Sequence, residues 1–318
     1  MKKKVLITGV AGFIGSNLAE YLLSSGFQVV GIDNLSTGNL DFLQAPLSNR
    51  KFTFYEIDLQ DPDALYPFLS GTDIVYHFAA NADVRFGSNH PRRDLEQNTI
   101  VTHNVLEAMR ISGVVKIVFS STGSIYGESL TSPTPENAPF PIQTSLYGAS
   151  KLACEGLIQA YCETFNMQSW IFRFVSILGP RYSHGHVFDF YKQLKQHPEF
   201  LKVLGNGHQR KSYLHVSDCI KAIEIGISSS KNNVNIYNLG VNNTCEVRES
   251  VNWISEKMGL NPTVEFGTEA RGWIGDNPLI HLAIDEITSL GWKPQYSIKE
   301  SIESTVEYLS KNEWLLAK

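Results

Sequence analysis

Cysteine is scarce in this chain, which limits the chemistry that its side chains can perform. No two cysteines form a Cys-x-x-Cys pair, and no cysteine or carboxylate cluster beside His184 and His186 completes a tetrahedral metal site. The sequence therefore excludes a disulfide scaffold, and we predict no metal centre and a polar loop for the two histidines. We expect the four cysteines to be small buried or half-buried apolar residues: Cys154, Cys162, Cys219 and Cys245.

Long apolar runs, repeats and an excess of one charge are absent as well. Val5-Leu-Ile7 follows a run of three lysines, but Thr8 and Gly9 break it, and it is too short for a signal peptide or a membrane span. The formal net charge is only −5, and the basic residues are otherwise scattered. These features argue against nucleic-acid and membrane partners. We expect a folded cytoplasmic protein of one large or two interlocked domains.

Strand-like and helix-like segments alternate over the first half of the chain. This order is typical of β-α-β units that build a doubly wound parallel sheet, the Rossmann-type α/β architecture. From Asn98 to Met109, apolar residues recur at steps of three and four, which predicts one buried helical stripe. The predicted strands are Lys4–Thr8, Gln28–Asp33, Phe52–Glu56, Ile74–Phe78, Lys116–Ser120, Ser169–Phe174 and Ile236–Leu239. The predicted helices are Phe13–Ser24, Ala64–Leu69, Asp94–Ile111 and Tyr147–Phe165.

The alternation becomes irregular after Phe174, where glycines and prolines mark loops. Leu214-His-Val216, followed by Ser217 and Asp218, predicts a return to the sheet domain, because serine and aspartate are good helix starters. We therefore predict that residues 1–175 and about 212–240 form the sheet domain. Residues from about 176 to 211 and from 241 to 318 then form a smaller, irregular α/β lobe.

A glycine-rich loop, Gly9-Val-Ala-Gly-Phe-Ile-Gly15, connects the first predicted strand to the first predicted helix. Bare backbone at the glycines and the amides of a helix N-terminus together suit a pyrophosphate. The first two glycines are one residue further apart than in the loop of ordinary dehydrogenases, which points to the reductase and epimerase branch. We therefore predict a dinucleotide site at this loop.

Asp33 ends the second strand, 18 residues after Gly15, where a carboxylate can accept hydrogen bonds from the adenine ribose hydroxyls. The same carboxylate would repel a 2′-phosphate, and no arginine follows in Asn34-Leu-Ser-Thr-Gly38. We therefore predict NAD rather than NADP as the cofactor. Asp58, after the third strand, could bind the adenine amino group or cap a turn.

Two tyrosines have a lysine four positions later, Tyr147 with Lys151 and Tyr191 with Lys195. On a helix, this spacing places both side chains on one face, where they can meet one ligand. Tyr147 follows a buried-strand pattern that ends in small hydroxyl residues up to Thr122, whereas Tyr191 lies in a polar segment beyond the core pattern. The context therefore favours Tyr147 and Lys151 as a functional pair.

The favoured pair suits proton transfer. At about 5 Å and an effective dielectric near 20, the Lys151 ammonium would attract a Tyr147 phenolate by roughly 3 kcal/mol, or about two pKa units. We therefore predict that Tyr147 is a general base and that Lys151 also binds the nicotinamide ribose. Thr122 would hold the substrate hydroxyl or share its proton, or else only cap its strand.

These motifs resemble those of the extended short-chain dehydrogenases/reductases, and among them the nucleotide-sugar 4-epimerases of the UDP-galactose 4-epimerase type. The resemblance covers nearly the full length of the chain. Its matching segments are Thr8-Gly-Val-Ala-Gly-Phe-Ile-Gly15, Asp33-Asn-Leu-Ser-Thr-Gly38, Phe78-Ala-Ala80, Ser120-Ser-Thr-Gly-Ser-Ile-Tyr-Gly127, Tyr147-Gly-Ala-Ser-Lys151, Arg173-Phe174, Leu178-Gly-Pro-Arg181 and Leu290-Gly-Trp-Lys-Pro294.

The resemblance implies NAD as the cofactor, a nucleotide-diphosphate sugar, with UDP favoured, as the substrate, and a homodimer formed by the Asp94–Ile111 and Tyr147–Phe165 helices. It implies the catalytic residues Thr122, Tyr147 and Lys151. The implied cofactor-binding residues are Gly9, Gly12, Phe13, Ile14, Gly15, Asp33, Asn34, Ser36, Gly38, Asp58, Leu59, Phe78, Ala79, Ala80, Ser120, Tyr147 and Lys151. The implied substrate-binding residues are Asn81, Thr122, Ser176, Val187, Lys211 and Arg271.

The mechanism that the resemblance implies is a transient oxidation. Tyr147 takes the proton of the sugar 4-hydroxyl while carbon 4 passes hydride to NAD. The resulting 4-keto sugar turns over in its pocket and is reduced on the opposite face, which inverts carbon 4 with no net use of cofactor.

This chain departs from the family pattern on the substrate side, which leaves the sugar open. The family more often has arginine and aspartate at Lys211-Ser212 and asparagine at Ser176, and Asn81 also replaces a more usual side chain. Arg181, Ser183 and His184 could face carbon 6 of a hexose, which would suit a uronic acid, or could form a surface loop. We therefore predict a UDP-hexose in its simple, N-acetyl or uronic acid form.

Three other functions remain open from the sequence. The related dehydratases have an acidic residue at the position of Ser124 and an aspartate at that of Gly123, so this chain lacks the acids needed for chemistry at carbons 5 and 6. A 4-keto reductase usually prefers NADP, against which Asp33 argues. A non-catalytic dinucleotide-binding module shares the fold, but the complete set of Thr122, Tyr147 and Lys151 argues against it.

Overall fold

The fold was analysed in a computed structural model, which describes residues 3–81, 83–140, 142–230, 232–273 and 275–317. It divides the chain into two compact units. Unit 1 comprises residues 1–125, 146–173 and 226–237, and unit 2 comprises residues 126–145, 174–225 and 238–318. Compared with the predicted boundaries, residues 126–145 and 212–225, together with 174–175 and 238–240, lie in the second unit. These segments pack there because Thr134 bridges to Leu282, and Tyr213–His215 pairs with Ser176–Leu178.

Unit 1 is built on a seven-stranded sheet. Its strands are β1 (Lys4–Thr8), β2 (Gln28–Asp33), β3 (Phe52–Glu56), β4 (Ile74–His77), β5 (Lys116–Thr122), β6 (Gln168–Phe174) and β11 (Val234–Leu239). Their order across the sheet is β11-β6-β5-β4-β1-β2-β3. The pairs from β3 to β5 are parallel, in registers such as Val5 with Val29 and Val5 with Ile74. The predicted Rossmann-type α/β class is confirmed.

The strand order reverses between β1 and β4. In an open parallel sheet, loops at such a switch point diverge and leave a crevice at the carboxyl ends of the strands. β1 ends at Thr8 before the glycine loop, and β4 ends at His77 before Phe78. The sheet thus brings two of the predicted cofactor segments to one edge.

Helices cover this sheet through apolar stripes. In unit 1 they are α1 (Phe13–Ser24), α2 (Gln44–Leu47), α3 (Phe86–Asn89), α4 (Pro91–Asp94), α5 (Val101–Ser112) and α6 (Leu146–Phe165). One fully buried cluster joins Val105 and Met109 of α5 with Ile158 of α6 and with Leu6 and Ile117 of the sheet. It contains the stripe that the spacing in 98–109 predicts, except for Ile100, which is 43% exposed.

One long predicted helix is divided in the structure. Residues 94–111 form the end of α4, a π-helical segment Leu95–Ile100 and then α5. Short 3₁₀ turns occur at Leu40–Leu43, Tyr66–Phe68, Gly123–Tyr126 and Glu313–Ala317. The predicted helix 64–69 is reduced to the turn Tyr66–Phe68, because Pro67 lies within it and has no backbone N–H to donate.

Unit 2 combines small sheets with longer helices. Its strands are β7 (Ser176–Leu178), β8 (Phe200–Val203), β9 (Arg210–Lys211), β10 (Tyr213–His215), β12 (Cys245–Glu246), β13 (Thr263–Phe266) and β14 (Leu279–Ile280). Its helices are α7 (His186–Gln196), α8 (Val216–Ser229, whose end lies in unit 1), α9 (Val247–Met258), α10 (Asp285–Ser289) and α11 (Ile298–Lys311). Helices α7, α9 and α11 pack on one another. Asp218 does not cap its own helix, because its carboxylate accepts the amides of Gln295 and Tyr296.

Candidate active site

The glycine loop folds back tightly on itself and on the end of β4. Gly9 has a φ of 71° and donates its amide to the Ile32 carbonyl at 2.8 Å. A Cβ at Gly9 would lie 2.6 Å from the Ala79 nitrogen, and a Cβ at Gly15 would overlap the Gly9 carbonyl oxygen. Only glycine fits at either position. Helix α1 begins at Phe13 after Gly12, which brings no capping side chain, so its N-terminal end presents bare backbone.

Asp33 ties this loop to the end of β2. Its carboxylate accepts the Ala11 amide and the Leu35 amide, each at 2.9 Å. Asp33 is 9% exposed. Burial raises the pKa of its carboxyl group, although these backbone hydrogen bonds act to lower it. Asn34 caps the next turn by accepting the Ser36 amide, while Gly38 lies against the Asp33 carboxylate. The predicted ribose ligand is therefore also a structural anchor of the loop.

A buried chain of hydrogen bonds links β1, β4 and the helices behind them. Thr8 Oγ1 accepts the amides of Phe78 and Ala79 at 3.2 Å, so its own hydroxyl donates to His77 Nδ1 at 2.8 Å. His77 Nε2 then donates to Thr102 Oγ1 at 3.0 Å. This pattern requires a neutral imidazole, and burial, followed by the charge of Lys151, lowers the pKa of His77 to about 3.

Thr122, Tyr147 and Lys151 come together at the end of β5. Thr122, 9% exposed, is hydrogen-bonded to the half-buried Tyr147 through their side chains and also accepts the Ser124 amide at 3.1 Å. Lys151 Nζ donates to the Ser120 carbonyl at 2.9 Å and lies 4.7 Å from the centre of the Phe119 ring. The predicted set is thus brought together by α6 and β5.

The electrostatics of this group differ from the sequence-based expectation. Burial raises the pKa of Tyr147 well above its usual value, the hydrogen bond from Thr122 opposes this, and Asp94 adds to the rise. Burial lowers the pKa of Lys151 to about 8, while Cys154, Glu155 and Asp94 act to raise it. The expected drop in the tyrosine pKa is therefore not a property of the protein groups alone, because desolvation of the phenolate outweighs the hydrogen bond from Thr122.

A buried ion pair braces the same elements. Glu155 lies one turn after Lys151. Its carboxylate forms an ion pair with Arg173 Nη2 of β6 at 2.7 Å and accepts a hydrogen bond from the Ser121 hydroxyl of β5. Arg173 is 2% and Glu155 0% exposed. The strand that carries Thr122 is thereby joined to the helix that carries Tyr147. Sequence reasoning missed Glu155, although its spacing of four from Lys151 places it on the same helix face.

Residues 5–240 match the model of the family described as NAD dependent epimerase/dehydratase. This match covers most of the chain. The chain belongs to that family.

Members of the family resemble the chain over nearly its whole length. A putative UDP-glucose 4-epimerase of Methanocaldococcus jannaschii is 30% identical over 97% of this chain and 99% of its own. A dTDP-D-glucose 4,6-dehydratase of Mus musculus is also 30% identical, over 98% of this chain and 89% of its own. The solved UDP-glucuronic acid 4-epimerase from Bacillus cereus, in complex with UDP-glucuronic acid and NAD, superposes with a TM-score of 0.89 at 28% identity. That alignment covers 97% of this chain and 99% of the other.

The remaining cofactor candidates of this family member lie near the ends of strands β3 and β4. Phe78, Ala79 and Ala80 are half-buried directly after β4. Asp58 is exposed and accepts the Gln60 amide at 2.9 Å, which is the turn-capping role, and Leu59 is buried. Contacts of these residues with NAD stay a prediction.

The predicted substrate residues fall in both units. In unit 1, Asn81 is 5% exposed and donates its side-chain amide to Asp94 at 2.8 Å. In unit 2, Ser176 is exposed on β7, and Val187 is completely buried in α7.

The two predicted phosphate-binding cations of unit 2 are both in ion pairs. Lys211 contacts Asp276 and lies 5.2 Å from the centre of the Trp273 ring. Arg271 contacts Glu128, and both side chains are about half exposed. The sequence did not indicate these acidic partners, because they lie 65 and 143 positions away along the chain.

The second tyrosine–lysine pair has a structural role. Tyr191 Oη donates to Glu313 at 3.3 Å, and Lys195 forms an ion pair with the same carboxylate at 2.7 Å. Tyr191 is buried in α7. The pair therefore holds the 3₁₀ turn Glu313–Ala317. It belongs to unit 2, whereas Tyr147 belongs to unit 1.

The histidine pair differs from the predicted polar loop. His184 is exposed and stacks on Tyr182, but His186 begins α7, where its Nε2 lies 2.8 Å from Ser250 Oγ. Burial, followed by Lys211, lowers the pKa of His186 to about 3. Among the described residues, no group of three or more histidine, cysteine or carboxylate side chains could hold a metal ion.

The four cysteines are free and buried, as predicted. Burial raises the pKa of each thiol, which makes the residues unreactive packing groups. Within the described part of the chain, no helix combines the length and the apolar character needed to cross a membrane.

Proposed function

We propose that this protein is an NAD-dependent 4-epimerase of UDP-hexoses. The observation that carries the proposal is the meeting of Thr122, Tyr147 and Lys151 at the carboxyl end of β5. In a parallel sheet this edge also holds the glycine loop after β1 and the segment after β4. A proton-transfer group therefore lies on the same edge of the sheet as a dinucleotide cradle.

The residues of unit 1 fit NAD. The glycines leave backbone uncovered where a Cβ would fill the cradle, and the N-terminus of α1 suits a pyrophosphate. Asp33 offers carboxylate oxygens at the end of β2, where they can accept ribose hydroxyls and repel a 2′-phosphate. We therefore expect NAD to bind more tightly than NADP, and a titration that finds similar affinities would reject this preference.

Each catalytic candidate has a role that its environment supports. NAD, when bound, supplies a reversible hydride acceptor for carbon 4 of the sugar. Tyr147 takes the proton of the sugar 4-hydroxyl and later returns it. Thr122, which is hydrogen-bonded to Tyr147, holds the same sugar hydroxyl. Lys151 binds the nicotinamide ribose and stabilises the phenolate. Burial raises the pKa of Tyr147, and the positive charge of the oxidised cofactor would act to lower it and so favour general-base action.

The substrate side of the proposal rests on the resemblance. We expect Asn81, Ser176, Val187, Lys211 and Arg271 to contact the nucleotide sugar. Lys211 and Arg271 would then exchange their present carboxylate partners for the diphosphate. UDP-glucose, UDP-N-acetylglucosamine and UDP-glucuronate are the candidate substrates, and their epimers would supply polysaccharide biosynthesis.

A dehydratase is the second candidate, because one curated relative has that name. Dehydration needs an acid beside carbons 5 and 6, and the two positions where dehydratases have one are occupied by Gly123 and Ser124. Ser124 is instead hydrogen-bonded to Thr122. These residues favour epimerisation.

The test is to incubate the purified protein with each of the three UDP-sugars and catalytic NAD, and to follow carbon 4 by proton NMR. We expect a 4-epimer from at least one sugar without stoichiometric reduction of NAD. A 4-keto-6-deoxy product would establish the dehydratase instead, and no change in any sugar would reject the UDP-hexose assignment.

We also propose a homodimer formed by the α5 and α6 surfaces, and a cytoplasmic location. Large apolar side chains on or next to these helices are 42% to 60% exposed, among them Leu95, Ile100, Ile111, Leu146 and Phe165. Exposed apolar groups of this kind are often covered by a second subunit. Solution scattering should give the mass of two chains, and a monomeric mass would reject the dimer. Cell fractionation tests the location.

A further inference from the structure

Asp94 is a buried carboxylate beside the proposed active site that the epimerisation mechanism does not use. It is the last residue of α4 and is 1% exposed. Its Oδ1 accepts the Asn81 side-chain amide at 2.8 Å and the Asn98 side-chain amide at 3.4 Å. Its Oδ2 is buried and has no hydrogen-bond partner among the described residues. A half-satisfied buried carboxylate is costly, so its retention calls for a role.

The partners of Asp94 connect it to the catalytic helix. Asn98 donates to Ser150 Oγ at 2.8 Å, and Ser150 donates to the Tyr147 carbonyl at 2.8 Å. Ser150 lies directly before Lys151 in the first turns of α6. The chain of contacts therefore ends on the backbone that sets the direction of Tyr147 and Lys151.

The same carboxylate also fixes the segment that follows β4. Asn81 donates its backbone amide to Asn98 Oδ1 at 2.8 Å, in addition to its side-chain bond to Asp94. Asn81 comes directly after Ala80, the last of the predicted cofactor residues in this segment. One carboxylate thus holds both the cofactor segment and the catalytic helix.

The local backbone is adapted to this arrangement. Asn98 lies in the π-helical segment 95–100, and π-helical turns occur frequently at functional sites because they change the direction of a side chain. Gly87 leaves the space for Asp94, since a Cβ at position 87 would overlap Oδ2. The carboxylate therefore has little freedom to move.

We propose that Asp94 is a positioning residue that holds Tyr147 and Lys151 in register with the cofactor segment through Asn81, Asn98 and Ser150. The inference rests on the proposed epimerase function, which it deepens. Asp94 does not touch the reacting atoms in this account.

The charges around Asp94 provide a readout that packing alone would not move. Asp94 is faced by Asp83 from the preceding loop and by Tyr147 and Lys151 from α6, and Arg93 is its neighbour in α4. Lys151 is in turn faced by Cys154 and Glu155 of its own helix and by His77 of β4. Because Asp94 acts to raise the pKa of Lys151, removal of its charge should lower that pKa further below about 8.

The experiment compares Asp94→Asn, Gly87→Ala and Asp83→Asn with the wild-type protein. Lysine Cε carbons are labelled with ¹³C, Lys151→Met assigns the Lys151 signal, and its pKa is measured by NMR without cofactor. For Asp94→Asn we expect a fall of roughly half a unit or more in the Lys151 pKa. We also expect kcat to fall about 10- to 100-fold, the usual cost of a small misplacement, with little change in KM.

The other two variants separate charge from position. Gly87→Ala keeps the carboxylate but displaces it, so kcat should fall without loss of a titrating group. Asp83→Asn removes a partly exposed charge nearby and should alter neither kcat nor the Lys151 pKa. Circular dichroism and urea unfolding confirm that each variant is folded.

The proposal is overturned if Asp94→Asn leaves either the Lys151 pKa or kcat as in the wild type, or if Gly87→Ala is fully active. It is also overturned if Asp83→Asn has the same effects as Asp94→Asn. If the wild-type protein turns over no UDP-sugar, the proposed function fails, whereas the Lys151 titration still tests the coupling to Asp94.

Discussion

At the scale of single residues, the two tyrosine–lysine pairs provide a matched comparison. Tyr147→Phe removes the proposed proton carrier, so we expect kcat to fall about 100- to 10,000-fold, the usual contribution of general acid–base catalysis. Tyr191→Phe removes only the hydrogen bond to Glu313. We expect it to keep its kcat and to lose about 1 kcal/mol of unfolding free energy in urea. Full activity in Tyr147→Phe would leave only a binding role for the site.

His77 makes a second residue-scale prediction, on the pH dependence of stability. Its pKa is about 3 in the fold and near 6.5 when unfolded, so the unfolded chain binds the extra proton between these values. The free energy of unfolding should therefore fall as the pH drops below about 6.5. At pH 5, this one group accounts for about 2 kcal/mol.

The measurement is urea unfolding at pH 7 and pH 5 in the wild type, His77→Gln and His197→Asn. His77→Gln should lose less stability between the two pH values than the wild type does. His197 is exposed, so His197→Asn should behave as the wild type. If the unfolding free energy of His77→Gln depended on pH as in the wild type, His77 would not be a neutral member of the buried hydrogen-bond chain.

Residue-scale prediction from the sequence was uneven for a physical reason. Thr122, Tyr147 and Lys151 could be grouped from the sequence, because Tyr147 and Lys151 have a helical spacing of four and Thr122 lies at the end of a strand pattern. Asp94 and Glu155 could not, since their roles depend on partners that only the fold brings near, such as Asn81 for Asp94 and Arg173 for Glu155. The pKa of Tyr147 could not be predicted either, because burial is a property of the packed protein.

At the scale of elements, the ion pair of Glu155 and Arg173 joins α6 to β6. Removal of one partner leaves the other charge buried and unpaired, so we expect Glu155→Leu to cost about 3–5 kcal/mol of unfolding free energy. The double variant with Arg173→Leu should recover much of this loss, because neither charge then remains. Urea unfolding of both singles and the double checks this, and additive losses would contradict it.

The glycine loop and helix α6 make the second prediction at this scale. Gly15→Ala places a Cβ against the Gly9 carbonyl, so the loop must open and NAD binding should be lost. Gly156 lies exposed in α6, and a Cβ added there would have no neighbouring atom within 4 Å, so Gly156→Ala should gain up to about 1 kcal/mol. Fluorescence titration with NAD tests Gly15→Ala, and urea unfolding tests Gly156→Ala. Normal NAD binding by Gly15→Ala would contradict the proposal that the glycine loop binds NAD.

Element prediction from the sequence was accurate where the hydrophobic period was strong. The bounds of β1, β2, β3 and α1 agree with the structure, and α6 begins one residue earlier than predicted. The stretch 94–111 was predicted as one helix, but the π-helical turn at 95–100 interrupts it. Apolar spacing does not reveal such a turn, since the spacing reports which residues face the core and not the backbone hydrogen-bond pattern.

At the scale of the whole molecule, the edge of the sheet explains why short sequence motifs could predict the cofactor and catalytic residues as one site. The strand order places the ends of β1, β4 and β5 side by side, so motifs far apart in sequence act together. Unit 2 was less predictable, because its strands are short and its ion pairs join distant segments. The division of labour between the units, with cofactor and catalysis in unit 1 and nucleotide sugar in unit 2, stays a proposal.

The central claim is that carbon 4 is oxidised and reduced again within one binding event. The measurement that tests it most directly uses a UDP-hexose deuterated at carbon 4, chosen from the sugars that the protein turns over. We predict that the 4-epimer keeps its deuterium at carbon 4, with catalytic NAD and no net change in absorbance from its reduced form. An epimer that has exchanged the deuterium for solvent hydrogen would contradict the account.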